Sequence, residues 1–177
     1  MKNIAILGST GSVGQQTLEV VRSFPREFSV VGLAGGYNLE LLAQEAEEFH
    51  PKMVSCQRPE DVVASRLPTG CLIVSQEELA SHPDVDMVVA ASVGKAGLGP
   101  LMAALGAGKA VALANKEPVV MAGEMVMAAA RRNGADILPV DSEPSAIWQC
   151  LRGEDKDVSR VIITASGGPF RKRSPKE

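Results

Sequence analysis

Aromatic side chains are nearly missing from this chain: one Trp, one Tyr and four Phe make up 3% of its 177 residues. Ala, Val and Gly are plentiful instead, a bias that suits strands buried on both faces of a parallel sheet. Cationic stripes are missing too. The net charge is −3, and the one basic cluster, Arg171-Lys172-Arg173, sits at the far end and reads as a solvated tail. Nonspecific nucleic-acid binding needs clustered Lys and Arg to displace counterions, so no nucleic-acid partner is expected.

Cysteine is scarce. Cys56, Cys71 and Cys150 are odd in number, form no CxxC pair and have no His at zinc spacing nearby. Reduced thiols in a cytoplasmic protein are expected. Charges and glycines interrupt every apolar run before it reaches membrane-spanning length, so no membrane association is expected. A strand pattern begins at the N-terminus at once, so no targeting peptide is expected. No repeat or low-complexity segment stands out.

What the sequence does have is alternation. Strands are predicted at Ile4–Leu7, Ser29–Leu33, Met53–Ser55, Leu72–Val74, Met87–Ala91, Val111–Leu113 and Ile137–Val140. Helices are predicted between them at Ser12–Ser23, Glu40–Phe49, Pro59–Leu67, Gln76–Ser81, Gly99–Ala107 and Pro118–Asn133. In the first helix Val13, Val20, Val21 and Phe24 give an apolar face. Such alternation predicts an α/β fold, a doubly wound parallel sheet with helices on both faces. Beyond Val140 come a turn and a helix in "DSEPSAIWQCL", a charged loop at Gly153–Asp157, and a further strand in "VSRVIITAS". Trp148 in that helix is expected in a core or domain interface. The expected organisation is one α/β domain over residues 1–140 and the incomplete beginning of a second α/β domain over residues 141–177.

The segment Gly8-Ser9-Thr10-Gly11-Ser12-Val13-Gly14 stands at the first strand-to-helix turn. There a dinucleotide (Rossmann-type) fold sets its pyrophosphate. Glycine permits the tight turn and lets a phosphate approach without meeting a Cβ. The helix N-terminus offers unpaired N–H groups, and Ser9, Thr10 and Ser12 add hydroxyls. No Lys follows the last glycine, which excludes a phosphate loop of the NTPase kind. At the end of the second strand, Ala34-Gly35-Gly36-Tyr37-Asn38 carries no acid to bind a ribose 2′-OH. That tilts the expectation toward NADP over NAD, although no Arg or Lys stands in the turn either.

Three further groups can carry chemistry. Asn115-Lys116-Glu117 follows a strand at the same sheet edge and suits either an anion site or a capped helix start. Asp141 and Glu143 lie two apart; in an extended segment they would point to one side and could share Mg²⁺ or Mn²⁺, while before a helix they would merely favour its dipole. Ser166-Gly167-Gly168 is either an anion-binding nest or a strand end. His50 and His82 each precede a proline in surface turns and are assigned structural roles.

Taken together, "ILGSTGSVG", "LANKE", "PVDSE" and "SGGPF" resemble, in order and separation, the deoxyxylulose phosphate reductoisomerase family. The resemblance runs from Met1 to about Arg171. It implies NADPH and a divalent metal, a sugar phosphate substrate, a homodimer and a role in non-mevalonate isoprenoid synthesis. It also implies that Gly8, Thr10, Gly11, Ser12 and Val13 hold the cofactor at the pyrophosphate turn, and that Gly36, Tyr37 and Asn38 surround its 2′-phosphate. Asn115 and Glu117 would contact the cofactor, Lys116, Ser142 and Ser166 the substrate, and Asp141 and Glu143 the metal. Tyr37 departs from the pattern, because family members often carry a basic residue there. Since the family's chains run well past residue 177, residues 1–177 alone are expected to be inactive. The competing expectations are another NAD(P)-dependent dehydrogenase of semialdehyde or sugar-phosphate type, or a non-catalytic NAD(P)-sensing module. Cys150, inside a predicted helix, fits poorly as a semialdehyde dehydrogenase nucleophile, and a sensing module needs no "DSE" pair.

Overall fold

The computed structural model describes residues 1–58, 60, 66–152, 158–162 and 174. Among the described residues seven strands form one sheet: β1 (Lys2–Leu7), β2 (Phe28–Ala34), β3 (Met53–Ser55), β4 (Leu72–Ile73), β5 (Met87–Ala90), β6 (Ala110–Leu113) and β7 (Ile137–Pro139). All neighbours pair in parallel, in the order β4-β3-β2-β1-β5-β6-β7. The chain builds outward from β1 to β4, then returns to the other side of β1. The order therefore reverses between β1 and β5, where an open α/β sheet leaves a crevice at its carboxyl edge.

The helices are α1 (Ser12–Ser23), α2 (Leu39–Phe49), α3 (Gln76–Ser81), α4 (Leu98–Gly106), α5 (Glu117–Asn133) and α6 (Ser142–Leu151). Side chains alternate across a strand, so each strand feeds two cores. Ile4, Ile6 and Val89 pack with Leu18 and Val21 of α1 and with Leu42 and Ala46 of α2. Ala5, Leu7, Val88 and Ala90 pack with Leu79 of α3, with Leu101 and Leu105 of α4, and with Val126 and Ala130 of α5. Each fully buried leucine of this set contributes about 2 kcal/mol over an exposed one. The register of β1 against β2 slips once, Ile4 facing Val30 and Ala5 facing Gly32. Val31 is the extra residue, a bulge. Gly32 then leaves room for Leu79, whose Cδ2 lies only 3.0 Å from where a Cβ would stand.

Most predicted elements are present to within a residue or two at their ends. Some expectations change, and one falls largely outside the described residues. In α1 the buried face is Gly14, Leu18 and Val21, while Val13, Val20 and Phe24 are exposed. The helix lies so close to the loop before it that its inner stripe needs a glycine, which displaces the valines outward. The helix predicted at Pro59–Leu67 lies outside the described residues except for Glu60, Arg66 and Leu67. The strand predicted in "VSRVIITAS" is not formed over Val158–Ile162, the part described; Val158, Val161 and Ile162 are exposed. A strand is stabilised by its neighbours, and none among the described residues pairs with this segment. Trp148 is half-buried and α6 has no buried residue, so no core forms around it among the described residues; Arg152 covers its ring at 4.8 Å. No helix among the described residues is long and apolar enough to cross a membrane.

Both histidines occupy turns, as expected. His82 follows α3 and accepts from the Asp84 N–H through Nδ1 at 3.2 Å. His50 ends α2 in the left-handed conformation, φ 48°, which favours glycine. Replacing it, His50→Gly, should raise stability by about 1 kcal/mol and the melting temperature by about 2–4 °C, measured by thermal denaturation.

Candidate functional site

The glycine turn is built by close backbone approach. Gly8 has φ +83°, and a Cβ on it would stand 2.7 Å from the Ala91 carbonyl oxygen at the end of β5. A Cβ on Gly14 would overlap the carbonyl oxygens of Gly8 and Ser9. Both positions therefore admit only glycine without backbone movement. Gly11 differs: it is the N-cap of α1 in an extended conformation that any residue adopts, with no side-chain cap on the helix. The first N–H groups of α1 stay open toward the carboxyl edge of the sheet, where helix termini attract anions.

Beside this turn lies a cleft of about 430 Å³, lined among others by Gly8, Thr10, Gly11, Gly36, Tyr37 and Ser92. It occupies the crevice where the strand order reverses. The turn after β2 forms its far wall: Gly36 has open space around it, and Tyr37 is 75% exposed. Asn38 caps α2, its Oδ1 accepting from the Leu41 N–H at 3.1 Å. The sequence does not single out Ser92, yet its Oγ is buried with no hydrogen-bond partner among the described residues. Its only signal is its place just past the end of β5. A glycine-built turn, uncapped N–H groups and an unpartnered hydroxyl fit a nucleotide diphosphate.

Ser9 departs from expectation. It is fully buried, its Oγ donating to the Ala34 carbonyl at 3.4 Å, so its hydroxyl does not face the cleft. Beneath it lies Glu45 of α2, 3% exposed. Gln15 Nε2 donates both to the Ser9 carbonyl at 3.0 Å and to Glu45 Oε1. Glu45 Oε2 has no partner among the described residues. Burial pushes the Glu45 carboxyl above the ordinary carboxylate range, and the nearby polar groups of Ser9 and Gln15 and the charge of Arg22 only partly offset it.

At the next two strand ends the polar groups come together. The Asn115 carboxamide is buried and engaged at both ends: Nδ2 donates to the Gly94 carbonyl at 3.1 Å, and Oδ1 accepts from the Glu117 N–H at 3.2 Å. It thus serves the start of α5 and pins the loop after β5. Lys116 is exposed, and its Nζ lies 3.0 Å from Asp141 Oδ2. Its pKa is raised by the hydrogen bond and charge of Asp141, with Glu143 and Glu117 adding to it. Asp141 is the N-cap of α6 but makes no side-chain cap bond, and Ser142 and Glu143 are already in the helix. The extended geometry considered for this pair is therefore replaced by a cap and a first turn. Glu143 nonetheless stands near enough for its charge to act on Lys116. Asp141 and Glu143 are hard oxygen donors suited to Mg²⁺, but no group of three metal-ligating side chains exists among the described residues. These two carboxylates do not by themselves make a metal centre. Ser166 and the rest of "SGGPF" lie outside the described residues.

Fold and cleft define an α/β protein of the dinucleotide-binding architecture, with a mixed-charge edge beside the cleft. The family model of 1-deoxy-D-xylulose 5-phosphate reductoisomerase matches residues 4–123, and that of the same enzyme's C-terminal domain matches residues 137–177. The chain belongs to this family. The 1-deoxy-D-xylulose 5-phosphate reductoisomerase of Bacillus cereus (strain Q1) is 48% identical over all of this chain and 48% of its own length. The Zymomonas mobilis enzyme, solved in complex with NADPH, superposes with a TM-score of 0.86 at 36% identity, over 98% of this chain and 48% of that one. A reductoisomerase solved with NADPH, fosmidomycin and magnesium gives a TM-score of 0.80 at 42% identity, over 86% of this chain and 40% of the other. The chain thus spans about half the length of the relatives it matches.

The buried carboxyl yields a pH signature. A folded-state pKa above the unfolded one means that the folded protein binds this proton more tightly. Its stabilisation is complete below the ordinary carboxylate pKa and is lost as pH rises through the raised value. In urea titrations across that range the wild-type midpoint should fall with rising pH, and Glu45→Gln should remove that part of the slope.

Proposed function

We propose that this chain is the cofactor-binding part of an NADPH-dependent reductoisomerase that converts 1-deoxy-D-xylulose 5-phosphate to 2-C-methyl-D-erythritol 4-phosphate. The observation that carries the proposal is the glycine-built turn beside the cleft at the sheet's reversal point, in a family whose Zymomonas mobilis member is solved with NADPH. Residues 1–140 would form the nucleotide-binding domain and residues 141–177 the beginning of the catalytic one. A sugar phosphate substrate, a cytoplasmic location, a homodimer and a place in isoprenoid synthesis belong to the same reading.

The chain's own residues would bind and orient. Thr10, Ser12 and Val13 would present backbone N–H groups and two hydroxyls to the pyrophosphate, while Gly8 and Gly11, whose own N–H groups are held by the Ala34 and Gly8 carbonyls, let it approach the backbone. Gly36, Tyr37 and Asn38 receive the adenosine end. Asn115 and Glu117 shape the wall where the nicotinamide half would lie. The engagement of Asn115 with Gly94 and Glu117 makes that wall rigid. When bound, NADPH supplies hydride and a divalent ion polarises the substrate carbonyl. Asp141 and Glu143 would give that ion two of its oxygens, completed by donors beyond the described residues. Lys116 stands beside them as a point charge for an anionic substrate oxygen, with Ser142 and Ser166 as hydroxyl partners.

Gly11 offers the cleanest test. A Cβ there meets a single neighbour, the Gly8 carbonyl oxygen at 3.3 Å, so Gly11→Ala should keep the fold while placing a methyl in the path of the pyrophosphate. By titration calorimetry the wild-type chain should bind NADPH, and Gly11→Ala should weaken binding about tenfold or more, roughly 1.4 kcal/mol, with an unchanged far-UV spectrum. No binding by the wild type, or equal binding by both, counts against the cofactor reading. The 177-residue chain alone should not turn over substrate, since its described residues leave the metal site incomplete. Substrate-dependent NADPH oxidation by the purified chain would overturn that expectation.

A further inference from the structure

Resting on the cofactor reading above, we infer that Arg58, from the segment after β3, supplies the cation that reads the nucleotide 2′-phosphate, with the Tyr37 ring as its platform. The turn after β2 contains no Lys or Arg of its own. A dianionic monoester bound there would need a positive partner from elsewhere. The fold brings one in. β3 lies beside β2 with Ser55 opposite Ala34. The pairing continues past both strands: the Gly35 N–H donates to the Ser55 carbonyl at 2.8 Å, and the Gln57 N–H donates to the Gly36 carbonyl at 3.3 Å. The two chains thus run together to the wall of the cleft, where Gly36, Tyr37 and Gln57 are all lining residues. At the next position the Arg58 guanidinium carbon stands 5.8 Å from the centroid of the Tyr37 ring.

That geometry suits the task. An arginine stacked on an aromatic face keeps its planar fork oriented. Such a fork binds a phosphate monoester through two parallel charge-assisted hydrogen bonds. The ring that stands where a basic residue would otherwise serve here carries the charge at second hand. The site is a composite of two strands, with the platform on the β2 turn and the charge on the β3 turn. A 2′-hydroxyl makes no comparable demand on Arg58, so the arginine should discriminate between NADPH and NADH without contributing to what the two share.

The test is calorimetric titration of NADPH and NADH into the wild-type chain, Arg58→Ala, Arg58→Lys and Tyr37→Ala, with thermal melts as the control for folding. Arg58 is exposed, so its variants should melt like the wild type. The expected result is a loss of NADPH affinity of about tenfold to a hundredfold in Arg58→Ala, as for a hydrogen-bonded charge, with NADH affinity unchanged. Arg58→Lys should keep part of the discrimination and Tyr37→Ala should lose part of it. Added salt should narrow the NADPH–NADH gap in the wild type and leave it unchanged in Arg58→Ala. Unchanged discrimination in Arg58→Ala overturns the inference and leaves the cofactor reading standing. An equal loss for both nucleotides also overturns it, by making Arg58 a structural residue. A wild-type chain that binds both equally refutes it directly, and one that binds neither refutes the cofactor reading and this inference together.

Discussion

The site depends on one contact: helix α1 lying backbone to backbone on the loop that precedes it. Gly14 rests against the carbonyls of Gly8 and Ser9 with no space for a Cβ. Because the helix starts that close, its uncapped N-terminus sits directly at the end of β1 and faces the crevice. If it were pushed outward by a methyl group, the N–H groups would no longer line the cleft. Leu18 and Val21, which hold α1 to the sheet, would lose their seating against Ile4 and Ile6. Packing and binding geometry are thus set by the same absent atom.

The sheet does the rest by direction alone. Every strand is parallel, so every strand delivers its following loop to the same edge. The glycine turn after β1, the open turn after β2, Ser92 after β5, Lys116 after β6 and Asp141 after β7 are brought together without any local signal linking them. The Lys116–Asp141 pair is a product of that convergence, its members 25 positions apart in sequence but 3.0 Å apart in space. Asp141 is held by a neighbouring strand's loop and not by its own helix, whose N-terminus it leaves uncapped.

Much of this was legible in the chain. Gly8, Gly11 and Gly14 announce a turn with a helix on top of it, and the short Val- and Ala-rich runs mark buried parallel strands. What escaped was whatever depended on distant neighbours. Nothing local marks Glu45 as buried. Here it falls on the inward face with Leu42 and Ala46 and is held by Gln15 from another helix. Ser9 reads as a loop hydroxyl, but the loop folds over it. Val13, Val20 and Phe24 have a plausible period, yet periodicity cannot say which of two stripes is inward when the true one contains a glycine. Arg58 carries no local signal at all. Its relation to Tyr37 exists only because β3 lies beside β2.

The Ala34 carbonyl oxygen has a wider consequence. It accepts from the Gly8 N–H at 2.7 Å and from the Ser9 N–H at 2.9 Å, so the loop after β1 and the last residue of β2 are riveted at a single atom. The two walls of the cleft are mechanically one piece. On the proposed cofactor reading, a lineage that changes its preferred nucleotide cannot do so by reshaping this backbone without tearing the rivet. It has to exchange side chains mounted on the rim, at positions such as 37, 57 and 58. The scaffold is thereby held by mechanics, and selectivity is left to the side chains around it.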